Sequence, residues 1–168
     1  MYRVRRLRSV DRDFVTSFLG RHRLSETVFS RGHLHAADSL PGFVAFRDSD
    51  PVGLLVYAIA DDGLEILVFH TTVDRIGLGS ALIREAKKAA RKNGCRRLWL
   101  VVTNDDTRSL GFYQRNGFRM VAFYPEARDA ARALSPEIPV LGEGGIPVHD
   151  EIELELPLHT PAADSAAL

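Results

Sequence analysis

The sequence predicts an α/β chain of the α+β type, built on a mixed, mostly antiparallel sheet. Three observations predict it. First, the apolar runs at 43–46, 52–59 and 64–69 are separated only by Asp48-Ser49-Asp50-Pro51 and Asp61-Asp62-Gly63. Asp, Ser, Pro and Gly favour tight turns, so such separators join three antiparallel strands by hairpins. Second, a helical repeat ending near Lys92 lies between the 64–69 run and a further strand-like run at 97–102. A helix between two strands of one sheet returns the chain in the same direction, which makes that pair parallel. Third, residues 149–158 alternate strictly, with Ile152, Leu154 and Leu156 on one face and Glu151, Glu153 and Glu155 on the other. A period of two marks a half-buried strand.

Taken in order, residues 2–8 read as a short strand with its arginines in water. Ser9 or Asp11 caps a helix running to about Arg23, with Phe14, Val15, Phe18 and Leu19 on its apolar face. Between 24 and 40 the pattern is mixed and no element is assigned. His33 and His35 share a face there, but a metal needs further ligands and none can be named, so no metal site is expected. After the hairpins comes a helix with Leu78, Leu82, Ala86 and Ala89 at helical spacing and Arg84, Lys87, Lys88 and Arg91 outward. Asn93-Gly94 stops it. Past the 97–102 strand, Asp106 caps a helix that Asn116-Gly117 ends. Residues 118–124 are strand-like, and 125–134 form a short helix with Pro125 in its first turn. The stretch 136–147 holds three prolines and three glycines and reads as a loop.

Composition narrows the classes of function. A chain of 168 residues suits one domain with a sizeable core, expected here over 1–158, with 159–168 a flexible tail. Lys+Arg and Asp+Glu are both 22, so no net field directs the protein to nucleic acid or a membrane. Cys95 is the single cysteine, which excludes an internal disulfide and suits a reducing compartment. The arginine-rich start lacks the apolar core of a signal sequence, and no apolar run approaches membrane-spanning length. A cytoplasmic protein is expected.

Two stretches carry the chemistry. Val73-Asp74-Arg75-Ile76-Gly77-Leu78-Gly79-Ser80 joins a strand to a helix. The unpaired N–H groups and partial positive charge of a helix start favour an anion. Gly77 and Gly79 let a phosphate approach the backbone, and Arg75 adds a forked cationic donor. The second stretch runs from Asn104-Asp105-Asp106 to Tyr113-Gln114-Arg115-Asn116-Gly117-Phe118. Together they resemble the GNAT superfamily of acetyl-CoA-dependent N-acetyltransferases, whose loop reads Arg/Gln-x-x-Gly-x-Gly/Ala and whose later helix reads Asn…Ala…Tyr-x-x-x-Gly-Phe. The resemblance covers roughly residues 40–124.

That resemblance implies a sheet with helices on both faces and splayed parallel central strands. It implies transfer of an acetyl group from acetyl-CoA to a primary amine of a small-molecule or peptide acceptor, by direct attack. The alternative is a catalytically silent module of the same fold that binds acyl-CoA or a protein partner. By resemblance, pantetheine lies between the splayed strands on backbone groups of Leu67 and Phe69. The pyrophosphate sits on the N–H groups of Arg75, Ile76, Gly77, Leu78, Gly79 and Ser80, and Tyr113 acts as general acid at the sulfur. The base is Glu65, His70 or water, with Glu65 preferred because a partly buried carboxylate has a raised pKa. Glu151, Glu153 and Glu155 are either a wet strand face or an acceptor wall that favours a cationic amine. Two positions depart from the family: Asp74 stands where Arg or Gln is usual, and Asp106 where Asn is usual, leaving Asn104 as the substitute amide. A homodimer is expected to use the 149–158 strand as its edge.

Overall fold

In the computed structural model, which describes residues 1–61, 63–73 and 77–158, the chain opens on strand β1 (Tyr2–Arg6). A 3-10 turn at Ser9–Asp11 then leads into helix α1 (Arg12–Arg21), which buries Val15, Phe18 and Leu19. Asp11 stands at the helix start, but its carboxylate does not cap the helix, contrary to the sequence reading. It is buried and accepts from Arg5 Nη1 at 2.7 Å, Arg5 Nη2 at 3.0 Å and the Arg8 N–H at 2.7 Å. The Arg5 guanidinium thereby pulls its pKa from 3.8 to about 2. A lowered carboxylate stabilises the fold above its unfolded value and loses that contribution as pH falls through the folded one. Asp11→Asn is therefore expected to cost about 1–3 kcal/mol near neutral pH. The gap to wild type in melting temperature should close as pH falls from 3.8 toward about 2; a gap independent of pH would refute the ion pair's role.

The unassigned stretch is a hairpin of β2 (Thr27–Ser30) and β3 (His33–Ala36). It turns at Arg31 and Gly32, both left-handed, with φ of 46° and 84°. The predicted meander follows as β4 (Gly42–Arg47), β5 (Asp50–Ala60) and β6 (Gly63–Thr71), antiparallel throughout. Helix α2 (Leu78–Lys92) crosses to β7 (Arg97–Thr103), parallel to β6. Helix α3 (Thr107–Arg115) is capped by Asp106, whose side chain accepts the Ser109 N–H at 3.1 Å. Then come β8 (Arg119–Tyr124), the short α4 (Ala127–Arg132) and β9 (Glu151–Pro157).

The main sheet has the order β1-β4-β5-β6-β7-β9-β8. Strand β9 lies between β7 and β8, so the expected dimer edge is not an edge: the edges of this sheet are β1 and β8. Alternate residues of β5 face opposite helices: Leu54 and Val56 pack on α1, and Leu55 and Tyr57 pack on α2. Helices thus cover both faces, as expected.

The centre of the sheet is where the strands part. The parallel ladder of β6 and β7 holds only Gly63 to Arg97, Leu64 to Leu98 and Glu65 to Trp99. Beyond it, β6 runs on to Thr71 and β7 to Thr103 without pairing. On its other side β6 bulges: Ile66 pairs with Tyr57 and Val68 with Val56, leaving Leu67 as the extra residue. A bulge reverses which face each later residue takes. Accordingly Leu64 and Ile66 join the α2 core, Val68 joins the α1 core, and Phe69 packs back on the α2 side. Among the described residues no helix is long and apolar enough to cross a membrane.

Candidate active site

On the α2–α3 side, a groove of about 900 Å³ opens where β6 has left β7. Its floor is Phe69 and Phe112, whose rings stack at 5.2 Å between centroids. Gly77, Leu78, Gly79 and Ser80 form one wall. Gly77 is the N-cap of α2 at φ 77°, a left-handed conformation that L residues adopt at a cost. A Cβ on Gly79 would sit 2.9 Å from Phe112 Cζ, so glycine there keeps the backbone close to the aromatic floor. Ser80 donates to Asn116 Oδ1 at 2.9 Å, tying α2 to the end of α3 across the groove. Arg108 and Arg115 line the far wall with Asp106 and Glu143. Arg75 and Ile76, like Asp74, lie outside the described residues.

Asn104 is engaged elsewhere. Its amide donates to the Pro147 carbonyl at 2.8 Å, and its oxygen accepts from the N–H groups of His149 and Asp150 at 3.0 Å each. It holds the start of β9 and does not line the groove.

Tyr113 lies directly behind the floor, 5% exposed, with ring centroids 5.8 Å from Phe69, 5.3 Å from Phe112 and 5.4 Å from Phe118. Phe112, one residue earlier, is the ring that faces the groove. Burial, with Asp106 adding to it, pushes the Tyr113 phenol above its ordinary value. Its hydroxyl makes no hydrogen bond among the described residues and is not one of the fully buried unpartnered atoms, so the ring is buried while the oxygen remains accessible.

On the opposite face, Glu65 to Leu67 line a second, smaller cavity with Ser30, Val101 and Arg128. Glu65 is buried, and the Ser30 hydroxyl donates to its Oε1. Desolvation raises the Glu65 pKa; the Ser30 hydrogen bond opposes that and nearby Glu153 adds to it. His70 lines the groove, but burial and then His22, 4.7 Å away between ring centroids, lower its pKa. The two openings thus draw on successive stretches of β6, with Leu67 at the bulge lining one and Phe69 lining the other.

The glutamate stripe of β9 is not a wet face. Glu151 is 3% exposed, and Glu153 is buried as well. Arg97 bonds both Glu153 and Glu155 at 3.0 Å, Tyr124 donates to Glu153 at 2.8 Å, and Arg128 donates to Glu151 at 3.2 Å. The hairpin and α4 cover this face with partners far away in sequence. Sequence reasoning missed Ser30, Arg128, Phe112 and Asn116; the last two lie inside the quoted motif and could have been found by their helical spacing.

Comparison with known proteins agrees with this geometry. The acetyltransferase (GNAT) family model matches residues 6–118. The uncharacterized protein YxbD of Bacillus subtilis is 32% identical over 146 residues, covering 86% of this chain and 92% of that protein. An acetyltransferase of Bacillus subtilis, solved in complex with CoA, superimposes with a TM-score of 0.65 at 19% identity, covering 95% of this chain and 100% of that one. The yncA acetyltransferase structure from Salmonella typhimurium, solved with its cofactor acetyl-CoA, gives 0.67 at 16% identity, covering 99% of both chains.

Proposed function

The chain belongs to the GNAT acetyltransferase family, and from that premise we propose that residues 1–158 act as one domain transferring an acetyl group from acetyl-CoA to a primary amine. The observation that carries this reading is the pair of openings on successive stretches of β6 around its bulge, one beside the glycine turn and one holding a buried carboxylate. Coenzyme A fits the first. Its pyrophosphate would rest on the N–H groups at the start of α2, with Arg108 and Arg115 offering positive charge. Pantetheine would run along β6 beyond the point where β7 stops pairing, and Leu67 and Phe69 would offer it backbone groups.

The acceptor amine then enters from the opposite face. Glu65 takes its proton, the nitrogen attacks the thioester carbonyl, the C–N bond forms and the C–S bond breaks. The Tyr113 phenol donates to the departing thiolate. Burial raises the phenol above its ordinary value, so its main contribution is a hydrogen bond to the developing thiolate rather than ready release of its proton.

A thermal-shift titration tests the cofactor assignment. Acetyl-CoA at one hundred times its Kd should stabilise the protein by about 2.7 kcal/mol. Gly79→Glu should abolish the shift, since its side chain meets the Phe112 ring and puts negative charge at the phosphate site. No shift in wild type would sink the assignment. A shift with no coenzyme A release from any amine would favour the silent-module reading.

A further inference from the structure

We propose that the acceptor is an amino acid head group, its amine directed at Glu65 and its carboxylate held by Arg128 within the small cavity. The proposal rests on the acetyltransferase reading and names its substrate class.

Size is the first argument. The cavity is about 60 Å³. That is room for a small polar head group, and a larger acceptor would have to leave the remainder outside.

Charge is the second argument. A wall of glutamates suggests at first sight a polycation acceptor. Yet Glu153 and Glu155 are held by Arg97 at 3.0 Å, and Glu153 also by Tyr124. At the other end two guanidiniums share one carboxylate. Glu151 takes Arg128 at 3.2 Å, while Arg31 stands 3.9 Å away with its guanidinium 3.4 Å above the Tyr124 ring. Among the residues lining the cavity the carboxylates are Glu65 and Glu151 and the cation is Arg128, which Glu151 engages through one nitrogen.

Arg128 supplies the third argument. Of its guanidinium N–H groups only those of Nη1 have a partner among the described residues; Nε is buried without one, and Nη2 is not among the buried unpartnered atoms. A largely buried guanidinium with so few acceptors is costly to hold, and an entering carboxylate matches its planar fork. One ligand with an ammonium and a carboxylate satisfies Glu65 and Arg128 at once.

The test measures coenzyme A release with acetyl-CoA and three matched sets of compounds: L-amino acids, their amides, and the corresponding decarboxylated amines. Wild type should favour the best amino acid over its amide by about 10²-fold in kcat/KM. In Arg128→Gln that preference should collapse toward one, mainly through KM, while Arg128→Lys should keep part of it. Equal or faster turnover of the amides or plain amines by wild type overturns the proposal, even if the variants fail to fold. Turnover of other amines but no amino acid overturns the substrate class and leaves the transferase standing. Absence of both turnover and an acetyl-CoA melting shift overturns the transferase, and this proposal with it.

Discussion

Glu65→Gln should lower the rate of acetyl transfer by roughly 10²-fold near neutral pH and remove the acidic limb of the pH–rate profile. The wild-type limb should lie above 4.5, the ordinary carboxylate value, because burial disfavours the charged form. Activity then rises with pH as Glu65 loses its proton and becomes a base. The sign for stability is opposite. A carboxyl with a raised folded pKa favours the fold below its unfolded value and loses that contribution as pH rises through the folded one. Replacing it by an amide should therefore leave the melting temperature at neutral pH no lower than wild type, while activity collapses. A variant that retains the acidic limb would move the base to His70 or water. His70 suits the task less well, since the same burial lowers its pKa and it lines the cofactor groove.

The difference between Glu65 and its surroundings shows what a sequence of this kind discloses. The meander was legible because Asp48 and Asp61 are turn formers at the right spacing, and both take left-handed backbone in the structure, with φ of 55° and 51°. The β6–α2–β7 crossover and the capped α3 were legible for the same local reasons. The hairpin at 27–36 was not, because it turns on Arg-Gly, a weak signal beside Asn-Gly, and its strands are only four residues each. Nor does any side chain announce the bulge at Leu67, which is a matter of backbone register. The burial of Glu151 and Glu153 follows from Arg31, Arg97 and Arg128, scattered over the chain and gathered only by the fold. Strand order is equally non-local, so an alternating stretch at the end of the chain looked like an edge and proved to be interior. The glycine turn stands at the start of α2, Tyr113 on α3 and Glu65 on β6, the elements the sequence pattern assigned them, while their parts in the chemistry belong to the proposed function. Ser30 and Arg128, which stand against that carboxylate and its cavity, were not legible in the sequence.

Tyr113→Phe should lose about 10²–10⁴-fold in kcat while its acetyl-CoA melting shift stays near that of wild type. The packing reading is a serious rival, since the ring lies among Phe69, Phe112 and Phe118 within 5.8 Å of each centroid. The two readings part at the hydroxyl. Packing uses the ring, which phenylalanine reproduces, so a structural role predicts near-normal turnover. The hydroxyl makes no hydrogen bond among the described residues and is not one of the fully buried unpartnered atoms, so its oxygen is open to an incoming acceptor. Because Tyr113 lies behind the Phe69–Phe112 floor, the catalytic reading requires the thiolate to depart at the edge of that floor, where the hydroxyl oxygen is accessible. The phenol is protonated near neutral pH, so its O–H can donate a hydrogen bond as negative charge develops on sulfur, an interaction made mainly in the transition state. Loss should therefore fall on kcat rather than on cofactor binding, and stability should change little because no protein hydrogen bond is removed. Near-normal kcat in a folded Tyr113→Phe would assign the residue to the core and leave the thiolate to be protonated by solvent.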